Sequence, residues 1–354
     1  MSPSRMSLTP ILLASLCLSG GCAGMVDRAV VRRAVPQLAL QRDLPLACSF
    51  GELGAGAVPV VSGDRSQQAL TVGWTISGLC AELDGWEHGL DSQLALVNAP
   101  ADTRAAMAMD ARIAAIRAHT LAATRYQAGY RWALSRFGDA TDCKLRNDWD
   151  ASAYMLGLLS GVLALVNDAV AEQAVGVPQN QLLDVARAAD CLDDDRWWGI
   201  PSGVQHAAWA VVPGSAPDGV DPWAGLRAAA EKGDAVGQGI PRALWLFTAA
   251  NAGDAALVRE ILEGWPALST APTAQWPLLD AYARAVAQHE SDLLWIAAEG
   301  HRAPSPPAPP AGAAPAADPF AGDNPFGSGP ADDNPFDVAP TAPDALPQPP
   351  DQTE

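Results

Sequence analysis

Five histidines, six cysteines, a serine between glycines and a triple aspartate are where this 354-residue chain could do chemistry. His88, His119, His206, His289 and His301 are scattered. His289-Glu290 has Leu293 where a zinc-protease helix needs its second histidine, four residues on. Ser160, in Gly157-Leu158-Leu159-Ser160-Gly161, has the wrong spacing for a nucleophile elbow and reads as a core serine. Asp193-Asp194-Asp195 lacks the alternating oxygens of a calcium loop. It reads instead as the cap, through Asp195 or a neighbour, of a helix starting near Arg196. With no phosphate loop or dinucleotide fingerprint, the expectation is a non-enzyme with no catalytic residue, metal or cofactor.

The cysteines carry the firmest chemistry. Residues 1–22 read as an export signal: Arg5 is the only charge, and an apolar core of about 11 residues is too short to span a bilayer. Leu18-Ser19-Gly20-Gly21-Cys22 closes that signal. It resembles the lipobox of bacterial lipoproteins, with the leucine four residues before the cysteine where three is usual. That resemblance implies lipid attachment at Cys22 as the first mature residue. Ala23, where an aspartate would retain a lipoprotein in the inner membrane, favours the outer membrane, facing the periplasm. Cys17 would leave with the signal, so Cys48, Cys80, Cys143 and Cys191 remain. An even number in an exported chain suggests disulfides. Three pairings exist and sequence does not choose among them; pairing of neighbours, Cys48 with Cys80 and Cys143 with Cys191, is preferred because it joins consecutive helices.

Acids outnumber bases 40 to 22, a net charge of −18. That balance argues against a nucleic-acid partner, and none is expected, since phosphate binding relies on Lys and Arg. No continuous apolar run reaches the ~18 residues of a membrane span. Residues 303–354 hold 15 of the 30 prolines and no Lys or Arg. Such a segment cannot bury enough apolar surface to offset its ordering entropy, so a disordered tail is expected. Asp318-Pro319-Phe320, Asp323-Asn324-Pro325-Phe326 and Asp333-Asn334-Pro335-Phe336 repeat within it, either as spaced docking motifs or as low-complexity drift.

Between the ends, residues 23–302 read as all-α. One strand-like run, Val58 to Val61, is interrupted by Pro59. Helical periodicity covers residues 102–138, with Asp102 as cap and Gly138 as stop, and residues 149–170, apolar enough to be buried on all sides. Further helices are expected over 178–192 and 196–211. Asp221-Pro222 opens another, ending at Gly233. Residues 240–250 and 255–262 form a hairpin about the turn Asn251-Ala252-Gly253-Asp254, and 273–299 complete the series. Six arginines at residues 104, 112, 117, 125, 131 and 136 fall at scattered angles, as on a solvated, salt-bridged surface.

Short helices, tight turns and alanines at packing positions resemble tetratricopeptide repeats in degenerate form, an irregular helical-hairpin array. The order of segments also resembles the T-component lipoproteins of tripartite ATP-independent periplasmic transporters. The pieces are Val26–Leu40 with its embedded Pro36, Arg125-Tyr126-Gln127-Ala128-Gly129-Tyr130, and Leu163-Ala164-Leu165-Val166-Asn167-Asp168. Residues 182–192 and Val258-Arg259-Glu260-Ile261-Leu262 follow. The Pro-rich tail and the four mature cysteines besides Cys22 depart from that layout. The resemblance implies a lipid-tethered periplasmic scaffold that docks a solute-binding protein and takes a small hydrophobic or organic-acid ligand. The partners to expect are that protein, the membrane through the lipid, and a second copy in a homo-oligomer. The alternative is a structural or assembly lipoprotein of the envelope with no small ligand.

Twelve tryptophans stand against four tyrosines and six phenylalanines. Large aromatics wedge helices apart in repeats, or line a pocket among them. Trp197 and Trp198 are adjacent and cannot share one helix face, so one of them is expected in a groove or exposed. With Trp209, they form the expected partner or ligand surface.

Overall fold

The computed structural model describes residues 35–62, 66–138, 143–265 and 276–310. Cys22, the signal, the phenylalanine motifs and the tail beyond residue 310 lie outside them. Eleven α-helices and no strand occur among the described residues. They are α1 (Val35–Ala39), α2 (Leu44–Ser62), α3 (Gln67–Asn98), α4 (Arg104–Phe137), α5 (Asp148–Val170), α6 (Gln181–Ala188), α7 (Ile200–Val211), α8 (Pro222–Asp234), α9 (Ile240–Asn251), α10 (Ala255–Glu263) and α11 (Pro277–Glu299).

The first half is a bundle around α3. From Gln67 to Ala81 α3 carries no charge, and nearly every residue of that stretch is buried. It packs against α2, α4 and α5. Small residues permit the approach: a Cβ on Gly78 would stand 2.7 Å from the Tyr126 ring, and one on Gly157 of α5 would stand 2.2 Å from the Ala133 Cβ. Where α3 and α5 touch, the buried hydroxyls of Thr75 and Ser160 satisfy one another, Oγ1 lying 2.7 Å from Oγ. Ser160 is therefore a core serine. By length and composition α5 alone, among the described residues, could cross a membrane, yet most of it is buried inside the protein. Its apolar stretch, residues 153–166 with Ser160 inside it, is shorter than the ~18 residues of a membrane span.

The second half is a run of shorter hairpins, α7 on α8, α8 on α9 and α9 on α10, with α11 lying against both α9 and α3. Caps explain the boundaries. The Asp221 carboxylate accepts from the Trp223 and Ala224 amides, Asn147 from Trp149 and Asp150, and Asp254 from Leu257. Gly138 ends α4 at φ 85°, a conformation that suits glycine.

Several expectations change. Residues 58–61 continue α2, because Ala47, Gly51, Ala55 and Val58 face α3 at helical spacing and no strand lies beside them. Thr103, not Asp102, is the N-cap residue of α4. Residues 193–199 form a turn, and α7 begins at Ile200 with Pro201 in its first turn. Of the three aspartates Asp193 is the cap, of that turn and not of a helix, accepting from the Asp195 and Arg196 amides. The fold also runs past residue 302: Ala308 O accepts from Ser291 Oγ at 2.7 Å and Trp295 Nε1 at 2.8 Å.

Candidate functional site

The described structure pairs Cys48 with Cys80, pinning α2 to α3, and Cys143 with Cys191, pinning the approach to α5 to the end of α6. Trp197 and Trp198 are only 5% and 8% exposed. Of the expected alternatives, exposed or in a groove, the groove is the one found: neither residue is helical, the turn folds both indoles inward with Trp198 at φ 57°, and both line a concavity. Trp209 sits apart, edge-on to His206 at 5.0 Å.

Sequence reasoning missed a buried carboxylate. Glu82 on α3 is 1% exposed, and Tyr126 Oη and Tyr282 Oη both donate to its Oε2, at 2.7 and 2.8 Å. Asn167 Nδ2 donates to Oε1 at 2.7 Å, and Asn167 Oδ1 in turn accepts from His119 Nδ1 at 2.7 Å. The group thus joins α3, α4, α5 and α11. Burial raises the Glu82 pKa, and the three donors oppose that rise. Burial lowers that of His119 and pushes the Tyr126 and Tyr282 phenols well up. Alongside, His289 stacks on Trp86 at 4.9 Å, and its Nδ1 is buried with no hydrogen-bond partner. Desolvation pushes His289 down to about 3 and Glu290 up to about 7. The carboxylate clamps helices: its hydrogen-bond partners among the described residues are Tyr126, Tyr282 and Asn167. Its one signal in sequence was a charge ending an uncharged helical stretch.

Next to the two phenols lies a cavity of 70 Å³ between the bundle and the hairpin run. It is lined by Leu159, Val162, Leu163 and Val166 of α5 and Ile240, Ala243, Leu244 and Phe247 of α9, together with Tyr126 and Tyr282. Its wall contains no charged side chain. Leu163, Val166, Leu244 and Phe247 are partly exposed and form its rim. Among the described residues no three His, Cys, Asp or Glu side chains converge as metal ligands.

Comparison with family models, with curated proteins and with solved structures finds no match to this chain. The reading of the site therefore rests on its own residues.

Proposed function

We propose that this chain is a lipid-anchored, periplasm-facing helical scaffold that takes a small neutral apolar ligand between its two helical halves and works beside a transporter's solute-binding protein. The observation that carries the ligand part is the uncharged cavity between α5 and α9. An organic-acid anion fits it poorly, since no cation lines it and the Glu82 carboxylate lies one hydrogen bond behind Tyr126 and Tyr282 of its wall. At 70 Å³ the resting space is about half that of an engineered cavity that holds benzene. A ligand must therefore part the rim of Leu163, Val166, Leu244 and Phe247. The partner and the lipid rest on the segment layout and on Leu18-Ser19-Gly20-Gly21-Cys22.

In this reading α2 lies toward the bilayer. Leu46, Phe50, Leu53 and Val60 make an exposed apolar stripe along it, Leu53 at 68% and Val60 at 86%. Between Cys22 and α2 the chain carries Arg28, Arg32, Arg33 and Arg42 against only Asp27 and Asp43, a basic stretch suited to anionic headgroups.

The cavity claim is tested by titrating the mature chain with N-phenyl-1-naphthylamine, a neutral apolar fluorophore. Saturable binding that is lost when Ala243→Phe or Val286→Phe fills the cavity, with helicity intact, is expected. Absence of saturable binding, or binding that both fillings leave unchanged, would remove the ligand from the account.

A further inference from the structure

A second concavity, of 560 Å³, lies away from the seam cavity and shares none of its lining residues. Three segments build it: Asp148, Trp149 and Ser152 from the first two turns of α5, Asp195 to Trp198 from the turn before α7, and Trp276 at the entry to α11. Four of the twelve tryptophans thus meet in one cleft. Their rings are set at right angles: Trp197 meets Trp198 at 76° and 5.6 Å, and Trp276 at 73° and 6.4 Å. Trp197 and Trp198 form the floor, whereas Trp149 and Trp276 are half-buried.

The walls are held by bonds that cross between segments. The Cys143–Cys191 disulfide ties the chain just before α5 to the chain just before the turn. Arg196 pairs with Asp148 across the cleft. Lys232 Nζ of α8 reaches Asp194 at 2.7 Å and Asp195 at 2.6 Å, and Asp194 Oδ1 accepts from the Ser202 amide at 2.9 Å. Trp198 adopts a left-handed conformation, rare for a bulky residue and costing about 1 kcal/mol or more. Strain of this kind persists where surrounding contacts over-determine a geometry.

Charge selects the ligand class. Each carboxylate in the cleft already has a cation, Asp148 with Arg196 and Asp195 with Lys232. A cationic ligand meets the Arg196 guanidinium, and an anionic one meets two carboxylates. A neutral polyol avoids both conflicts. Its hydroxyls donate to Asp148 or Asp195 and accept from Arg196, while its C–H faces lie on the indoles of Trp149 and Trp276. The volume falls within the range of small-ligand sites. We infer that this tryptophan cleft binds a neutral saccharide, either a free oligosaccharide or the glycan of a larger polymer.

Calorimetry on the mature chain with chitotriose, maltotriose and cellotriose tests this, with choline and citrate as charged comparators. At least one trisaccharide is expected to bind saturably. Trp276→Ala and Arg196→Ala should each weaken it about tenfold, whereas Trp209→Ala, outside the cleft, should not. Arg196 is an exposed side chain, so its variant tests the site even if the tryptophan variant disturbs the fold. Sedimentation with isolated peptidoglycan sacculi separates the two sources: co-sedimentation that the trisaccharide competes away marks the polymer, and its absence beside trisaccharide binding marks the free sugar. Failure of all three sugars, saturable binding of choline or citrate alone, or sugar binding unchanged by both cleft variants would overturn the proposal.

Discussion

At the scale of single residues, Glu82 holds the most structure. Its removal takes the carboxylate acceptor from Tyr126 Oη and Tyr282 Oη at once and leaves Asn167 Nδ2 only the Leu163 carbonyl, at 2.9 Å. Glu82→Ala is expected to lower stability by about 3–5 kcal/mol in urea unfolding. A loss under 1 kcal/mol, on the order of one ordinary hydrogen bond, would contradict the clamp. His289 and Glu290, neighbours on α11, set opposite pH dependences. With its folded pKa lowered to about 3 from 6.5, His289 contributes stability above pH 6.5 that is lost as pH falls. Glu290, raised to about 7 from 4.5, contributes stability below pH 4.5 that is lost as pH rises through 7. The two therefore offset one another between pH 4.5 and 6.5. Glu290→Gln removes the offset, so the variant should lose stability more steeply than the parent on acidification through that window. Parallel profiles would contradict the assignment. None of this was legible beforehand, because a lone glutamate or histidine in sequence gives no sign of what packs over it.

Among the elements, those with punctuation were legible and those without were not. Asp221-Pro222 and Asn251-Ala252-Gly253-Asp254 mark α8, α9 and α10 because caps and tight turns use few residue types. α3 escaped notice because it is buried on most sides, and Thr71, Thr75 and Ser77 in its buried stretch blur any apolar stripe. α2 was misread in part because β-branched residues favour strands locally, and packing on α3 overrides that preference. The tryptophan cleft was half legible. The pair at 197–198 stood out, but a turn and not a helix presents it, and Trp149 and Trp276 join it from distant positions. Cys48–Cys80 is the covalent tie between α2 and α3, closing 32 residues. Replacing both cysteines with alanine should lower stability by about 2–4 kcal/mol while leaving α4 to α11 folded. Unchanged unfolding, or collapse of the whole helical signal, would show that α2 is not a separable cover held by this bond.

For the molecule as a whole, the all-α class followed from periodicity alone. The division into a long-helix bundle and a short-hairpin run did not, since it depends on which helices meet. Their seam contains the uncharged cavity, and the proposed envelope location and transporter partner rest on segment order and the cysteine motif near the start. The most direct test of the central claim, a scaffold serving a solute-binding protein, is isolation of the full-length chain from gently solubilised envelopes, with co-purifying proteins identified by mass spectrometry. The account predicts a periplasmic solute-binding protein in near-equal amount, retained when the phenylalanine motifs of the tail are deleted. Recovery of envelope assembly proteins without it would contradict the account and leave a structural lipoprotein as the better description.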